Sequence, residues 1–217
     1  MTQPSPQRPD RRRVRTRAAL LRAGQELFAA RSVDGVSIDD IVGAADVAKG
    51  SFYNHFPDKD ALARTLADEA RRQVEALAAH MGAGVDDPAE RVARALCGFT
   101  RQAAEQPEAA RLGSRLFQGA AIPDLPMDRG VRADIQAGLQ SGRFRGLSLE
   151  AGVLMAVGVV QIAVARALDT SASGPPSELA RELGFGLLRG LGLDPPSAAA
   201  VSVSAADTVF GLPALPA

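Results

Sequence analysis

The chain has few of the residues that build catalytic, metal or disulfide sites. Its 217 residues include one cysteine, Cys97, and two histidines, His55 and His80. A single cysteine cannot form a disulfide within the chain, and no His, Cys and carboxylate residues cluster at the spacing of a metal site. No glycine-rich phosphate loop follows a strand-like segment. We therefore expect a protein that is not an enzyme and holds no cofactor or metal.

Long apolar runs are also missing. The best candidate for a membrane span is residues 151–165, which are interrupted only by Gln161. Fifteen helical residues extend about 22 Å, which is less than a hydrocarbon core of about 30 Å. The first ten residues lack the apolar stretch of a secretory signal. The sequence thus predicts a buried helix at 151–165, no membrane partner and a location in the reducing cytoplasm.

Charge is distributed unevenly along the chain. The formal net charge is zero, but residues 1–31 hold eight arginines against one aspartate and one glutamate. That surplus of six positive charges is balanced by an acidic excess in the rest of the chain. A basic end of this kind indicates either contact with an anionic polymer or a solvated tail without a partner.

Apolar residues recur at helical spacing, and no segment alternates convincingly with period two, which predicts an all-α protein of about nine helices. Residues 1–10 contain three prolines and are expected to form a flexible arm, and residues 194–217 a loosely ordered tail. Breaks at Pro, Gly and Ser separate the predicted helices, which span residues 12–31, 38–45, 48–55, 58–81, 87–105, 107–118, 127–142, 148–169 and 176–191.

Two short helices that follow a longer basic helix are typical of a helix-turn-helix module. Ser37 stands at the N-cap position of the first short helix, where its hydroxyl can accept from a free backbone N–H. Asp46 lies at the turn, and aspartate tolerates left-handed backbone better than most residues. Pro57 ends the second short helix, and Asp58 can cap the next one.

The second short helix carries the most specific signal, the segment from Val47 to Lys59. Its small side chains permit close approach to a groove, its polar tips suit base edges, and Phe52 and Phe56 are expected in the core. Residues 14–64 resemble the DNA-binding domain of the TetR family. The resemblance rests on Leu27-Phe28, Gly35, Ser37 and the run Lys49-Gly50-Ser51-Phe52-Tyr53-Asn54-His55-Phe56-Pro57-Asp58-Lys59.

The resemblance implies which residues contact double-stranded DNA. It implies that base edges in the major groove face Lys49, Gly50, Ser51 and Asn54, and that phosphates are held by Ser37, Tyr53, His55 and Lys59. Asparagine suits adenine, so we expect an A·T pair opposite Asn54. Two of these residues have structural alternatives, since His55 can simply end a helix and Lys59 can be a solvated helix residue. Arg11, Arg12 and Arg13 are expected to clamp phosphates without reading bases.

The resemblance also implies a homodimer that represses transcription at a palindromic operator until an unknown small molecule releases it. The helix-turn-helix domain then spans residues 11–57, and an effector-binding and dimerisation domain spans 58–193. The helices at 148–169 and 176–191 are expected to form the dimer interface, or else an ordinary intrachain core. Alternatives are an activator and a helical DNA-binding or interaction protein that no ligand controls.

The sequence indicates the ligand pocket only weakly. A mostly apolar cavity with a few polar anchors is typical of small-molecule sites. We expect Gln161 to be the strongest candidate, because a buried amide within an apolar run demands a hydrogen-bond partner. That partner is either a ligand, another helix or the facing subunit. The candidate ligand contacts are Phe99, Phe117, Gln136, Met155 and Gln161.

Overall fold

A computed structural model of the protein describes residues 11–117, 128–169, 171 and 173–213, and the predicted arm at residues 1–10 lies outside them. The described residues form ten helices and no strand, which confirms the all-α class. The nine predicted helices agree with observed ones to within about two residues at each end. The helices are α1 (Arg11–Ala30), α2 (Ile38–Ala44), α3 (Lys49–Tyr53), α4 (Lys59–Gly82), α5 (Pro88–Glu105), α6 (Pro107–Leu116), α7 (Asp128–Gln140), α8 (Leu149–Ala167), α9 (Pro176–Gly190) and α10 (Pro195–Gly211).

Helix α10 occupies most of the segment predicted to be a loosely ordered tail, and that prediction was wrong. The Asp194 carboxylate accepts from the Ser197 backbone N–H at 2.9 Å. Pro195 and Pro196 follow the cap, where a missing N–H costs no hydrogen bond. The helix packs on α5 and α9. It does so through small side chains that carry little hydrophobic signal, namely Ala198, Ser202, Ala205, Ala206 and Val209.

The described residues divide into two compact units, and the division falls within α4. The first unit runs to Glu69 and includes the segment that begins at Arg111, and the second begins at Ala70. The first unit thus extends beyond the domain end predicted at residue 57. Its core contains Phe52 and Phe56, as predicted, together with Leu20, Phe28, Val36, Ile41, Leu62 and Leu66.

The second unit is built around α5, which packs against α7, α8, α9 and α10. Helix α8 is longer than the apolar run predicted there. Among the described residues it alone is long and apolar enough to cross a membrane, by length and composition only. One face packs against α5, α7 and α9, while Leu154, Met155 and Ile162 are exposed. The predicted buried helix is therefore buried on one side only.

Candidate nucleic-acid interface and ligand cavity

The start of α2 is held by a reciprocal cap, which confirms the predicted N-cap position of Ser37. The Ser37 hydroxyl accepts from the Asp40 backbone N–H at 3.1 Å, and the Asp40 carboxylate accepts from the Ser37 backbone N–H at 2.9 Å. These hydrogen bonds with Ser37 lower the pKa of the Asp40 carboxyl. Two backbone donors are satisfied in this way, which fixes where α2 begins.

The turn between α2 and α3 has the predicted backbone conformation. Asp46 adopts a φ of 53°, the only positive value at a non-glycine residue in the described part of the chain. Helix α3 then runs for five residues from Lys49. Beyond Pro57, the Asp58 carboxylate accepts from the Ala61 backbone N–H at 2.6 Å and caps α4. The turn at Asp46 thus precedes α3, and the capped start of α4 follows it.

Helix α3 separates its apolar and polar side chains. Phe52 is fully buried, and the Tyr53 ring meets it edge-on at a centroid distance of 5.6 Å. Tyr53 itself is 52% exposed. Lys49, Gly50 and Asn54 are also exposed, and Ser51 is half-buried. A side chain at Gly50 would meet nothing within 4 Å, so this position leaves room for a close approach by another molecule.

Lys49 forms an ion pair that sequence reasoning missed. Its ammonium lies 2.8 Å from the Asp39 carboxylate of α2. The hydrogen bond with Asp39 raises the pKa of Lys49. Both side chains are exposed, so solvent and salt screen the pair. Its effect is to orient the ammonium at the first residue of α3.

Lys59 has a backbone partner within the first unit. Its ammonium donates to the Val36 carbonyl at 3.0 Å, in a partly buried position. This bond joins the first residue of α4 to the residue that precedes the Ser37 cap. Lys59 is therefore not simply a solvated helix residue, and two of its three donors remain for another acceptor.

A cationic cluster lies where α1 approaches the residues that follow α3. His55 is half-buried, and burial together with the charges of Arg13 and Arg17 lowers its pKa. The Arg17 guanidinium carbon lies 5.2 Å from the centre of the Phe56 ring, within cation–π range. The structure thus adds Arg17 to the basic residues expected near phosphates. The helical spacing of residues 13 and 17 was the available signal.

The second unit contains a cavity of about 440 Å³. Of the five predicted ligand contacts, only Phe99 lines it. Phe117 belongs to the first unit, and Gln136 and Met155 are exposed residues that do not line the cavity. Gln161 is also exposed, so the expectation that its amide is buried was wrong for the protomer. The apolar lining residues are Ala78, Ala79, Val92, Ala95, Phe99, Val131, Ala133, Ala156, Val157, Val160 and Leu187.

A paired arginine and aspartate form part of the polar lining, and sequence reasoning missed both residues. The Arg91 Nε donates to the Asp134 Oδ1 at 2.6 Å. The Arg91 Nη1 donates to the carbonyls of Val85 and Asp86 at 3.0 and 3.1 Å. Burial raises the pKa of Asp134, and the hydrogen bond from Arg91 opposes that effect. The two residues are far apart along the chain, on α5 and α7, so no local motif indicates their contact.

Comparison with known proteins agrees with this geometry. Residues 20–66 match the family model described as bacterial regulatory proteins, tetR family. Over 57 residues, the chain is 40% identical to the HTH-type transcriptional repressor DhaR of Mycobacterium sp. (strain GP1). This match covers 26% of the present chain and 29% of DhaR. The sequence similarity to DhaR thus spans less than a third of that relative.

Solved structures extend the likeness over most of the chain. The crystal structure of RolR in complex with resorcinol is 29% identical, with 88% of this chain and 94% of RolR covered and a TM-score of 0.59. A bacterial regulatory protein in the tetR family from Rhodococcus RHA1 is 20% identical, with 82% and 98% covered and a TM-score of 0.67. The second likeness is one of fold alone.

Proposed function

We propose that the chain is a ligand-responsive transcriptional repressor of the tetR family, because residues 20–66 match the model of that family of bacterial regulatory proteins. It binds a palindromic operator as a homodimer in the cytoplasm and is released by a small molecule. The observation that carries this proposal is the exposed polar face of α3, which lies between the turn at Asp46 and the capped start of α4 and is anchored by the buried Phe52. Catalysis, metals and cofactors have no part in it.

In this proposal, α3 lies in the major groove of the operator. Its exposed positions Lys49, Gly50 and Asn54, with the half-buried Ser51, face base edges. The open space around Gly50 supports a close approach of DNA. Asn54 has the donor and acceptor pair that suits adenine. The phosphate contacts are assigned to Ser37, Tyr53, His55 and Lys59, and the neighbouring Arg13 and Arg17 support that assignment by their charge.

The proposed dimer interface is an apolar stripe on α8 and α9. Leu154, Met155 and Ile162 of α8 and Phe185 of α9 are large hydrophobic residues that remain exposed in the protomer. Exposed apolar surface of this kind is typical of a protein interface. Gln161 precedes Ile162 on the exposed side of α8, so its partner is assigned to the facing subunit instead of a ligand. A two-fold dimer places its two reading helices about 34–36 Å apart, one turn of DNA.

The proposed effector occupies the cavity of the second unit, where Phe99 contacts it. The name of DhaR as a repressor and the bound resorcinol of RolR support a ligand-controlled repressor. Residues of α4, among them Ala78 and Gly82, also line the cavity, and we assign to this helix the transmission of the signal. A ligand that prefers the state unable to bind DNA shifts the population toward it. By reciprocity, operator DNA weakens ligand binding by the same factor.

The function is tested by selecting bound sites from random duplex DNA and then following affinity against salt concentration. An enriched palindrome with half-sites about one turn apart and a steep salt slope is the expected result. Tyr53→Phe and Lys49→Ala are expected to weaken operator binding. Arg145→Ala, which removes an exposed positive charge between α7 and α8 in the second unit, serves as the control and leaves binding unchanged. Weak binding without sequence preference, equal in all four proteins, would refute the proposal.

A further inference from the structure

The geometry of the cavity points to the chemical class of its ligand. We infer that the cavity selects a small, neutral, mostly apolar molecule whose hydroxyl group donates a hydrogen bond to Asp134. This inference rests on the proposed ligand-responsive function and deepens it, because it states which molecules the second unit accepts and which it rejects.

The size and walls of the cavity define most of the ligand. A volume of about 440 Å³ lies in the lower part of the range for small-molecule sites. Small aliphatic side chains form most of the wall, and Phe99 supplies its one aromatic ring. Apolar surface that enters such a site is stabilised by leaving water. The bulk of the ligand is therefore hydrocarbon.

The polar groups of the ligand are defined by the pair of Arg91 and Asp134. The Asp134 Oδ1 is occupied by the Arg91 Nε, whereas the Asp134 Oδ2 accepts no hydrogen bond from the described residues. Both side chains are 23% exposed. In the described part of the chain, no fully buried side-chain nitrogen or oxygen lacks a hydrogen-bond partner. The Asp134 Oδ2 is therefore reachable, and because it is a carboxylate oxygen it requires a donor.

The charges around the cavity exclude ionic ligands. Arg91 and Asp134 neutralise each other, and the two other ionisable residues of the lining, Glu75 and Arg129, are exposed and of opposite sign. A carboxylate ligand would meet the charge of Asp134, and an ammonium ligand would meet the charge of Arg91. A hydroxyl group avoids both conflicts and donates to the Asp134 Oδ2, which makes a charge-assisted hydrogen bond.

The test uses three probes of nearly equal shape on the full-length protein without DNA, namely 2-naphthol, 2-methoxynaphthalene and 2-naphthoate. The chain has no tryptophan, so naphthalene emission is followed directly. 2-Naphthol is expected to bind at least about 10-fold more tightly than the ether, which cannot donate, because a hydrogen bond to a charged group is worth about that factor. 2-Naphthoate is expected to bind most weakly.

The variant Asp134→Asn provides the second arm. It keeps the shape of the side chain but leaves the Arg91 guanidinium without its ion-pair partner. The affinity ratio of 2-naphthoate to 2-naphthol is expected to rise by about 10-fold or more. Glu108→Gln removes an exposed carboxylate of the second unit that does not line the cavity. It is the matched control, with a ratio that stays within about 2-fold of the wild type. Circular dichroism verifies that each variant is folded.

Three results would overturn the inference. The first is that 2-methoxynaphthalene or 2-naphthoate binds the wild type as tightly as 2-naphthol or more tightly. The second is that 2-naphthol does not bind up to about 1 mM. The third is that the affinity ratio of 2-naphthoate to 2-naphthol is unchanged in a folded Asp134→Asn protein. If Asp134→Asn does not fold, the order of the affinities of the three probes for the wild type decides whether the inference holds. Operator binding, measured separately on the same preparation, distinguishes the two proposals. Operator binding without the predicted ranking refutes only the ligand class, and the ranking without operator binding refutes only the proposed function.

Discussion

Replacing Arg101 with methionine is expected to destabilise the second unit strongly. Arg101 is 5% exposed. Its Nη1 donates to the Val209 carbonyl at 2.6 Å, and its Nη2 donates to the carbonyls of Leu212 and Pro213 at 3.0 and 2.9 Å. Its Nε donates to Glu105 at 2.7 Å. The three carbonyls lie at the end of α10, where the backbone carries a partial negative charge and lacks intrahelical partners.

The size of the effect follows from these bonds. A hydrogen bond to a charged group contributes about 1.5–3 kcal/mol, and Arg101 makes three such bonds to backbone carbonyls. Its ion pair with the exposed Glu105 adds less than about 1 kcal/mol. Methionine retains apolar packing, and the released carbonyls regain water when the end of α10 frays. We therefore expect a loss of about 3–5 kcal/mol. In a chain of this length, each kcal/mol lowers Tm by about 2–4 °C, so the Tm is expected to fall by at least about 6 °C.

Thermal and urea unfolding, followed by circular dichroism at one fixed protein concentration, measure this loss. Arg64→Met is the matched control, because Arg64 is an exposed arginine that lies 3.7 Å from Asp58. Such a surface pair contributes less than about 1 kcal/mol. If the two variants unfold at the same temperature and urea concentration, the account of Arg101 as the residue that secures α10 is refuted.

Three further outcomes are expected around the helix-turn-helix. Ser37→Ala removes the reciprocal cap of α2 and is expected to cost about 1 kcal/mol in urea unfolding, with Ser37→Thr restoring most of it; equal stability of all three proteins would contradict this. Asp39→Asn frees the Lys49 ammonium from its 2.8 Å ion pair, so affinity for random DNA should rise and its salt slope should steepen by about one counterion; an unchanged slope speaks against it. Burial and two arginines lower the pKa of His55 in the free protein, and a nearby phosphate would raise it, so binding takes up a proton. Operator affinity should then rise as the pH falls below about 6.5 and should lose that dependence in His55→Gln, whereas a flat profile in the wild type would show that no phosphate lies there.

The helix-turn-helix was predictable because its determinants are local. Ser37 caps α2 through residues three positions away, and Asp46 takes the left-handed conformation at the position where the chain must turn. Each of these features depends on neighbours within one or two helical turns, which a single sequence displays directly.

Helix α10 was not predictable in the same way. Its buried residues are mainly alanine, with Ser202 and Val209, and these side chains do not separate a polar from an apolar face. The capping signal at Asp194 was present, but the composition favoured a tail. The stability of the helix depends on contacts with α5 and α9, and on Arg101, which lies 108 residues before Val209. Such long-range contacts produce no periodic pattern in the sequence.

The cavity shows the same limit of local patterns. Phe99 lines the cavity as predicted, because most of the wall is apolar and such sites favour apolar and aromatic side chains. The burial of Gln161 was predicted wrongly, because an apolar run does not reveal which face of the helix packs against the rest of the protomer. The pairing of Arg91 with Asp134 joins residues 43 positions apart, so it emerges only when α5 and α7 are packed together.

The exposed ring of Tyr53 has a practical consequence for measurement. It is the only tyrosine in a chain without tryptophan, so nearly all intrinsic emission of the protein originates at one position on α3. The intrinsic fluorescence of the unlabelled wild type therefore reports on the surroundings of this one residue. A change in that emission on adding duplex DNA would report a change in the surroundings of this ring. Tyr53→Phe, which lacks tyrosine emission, is the control.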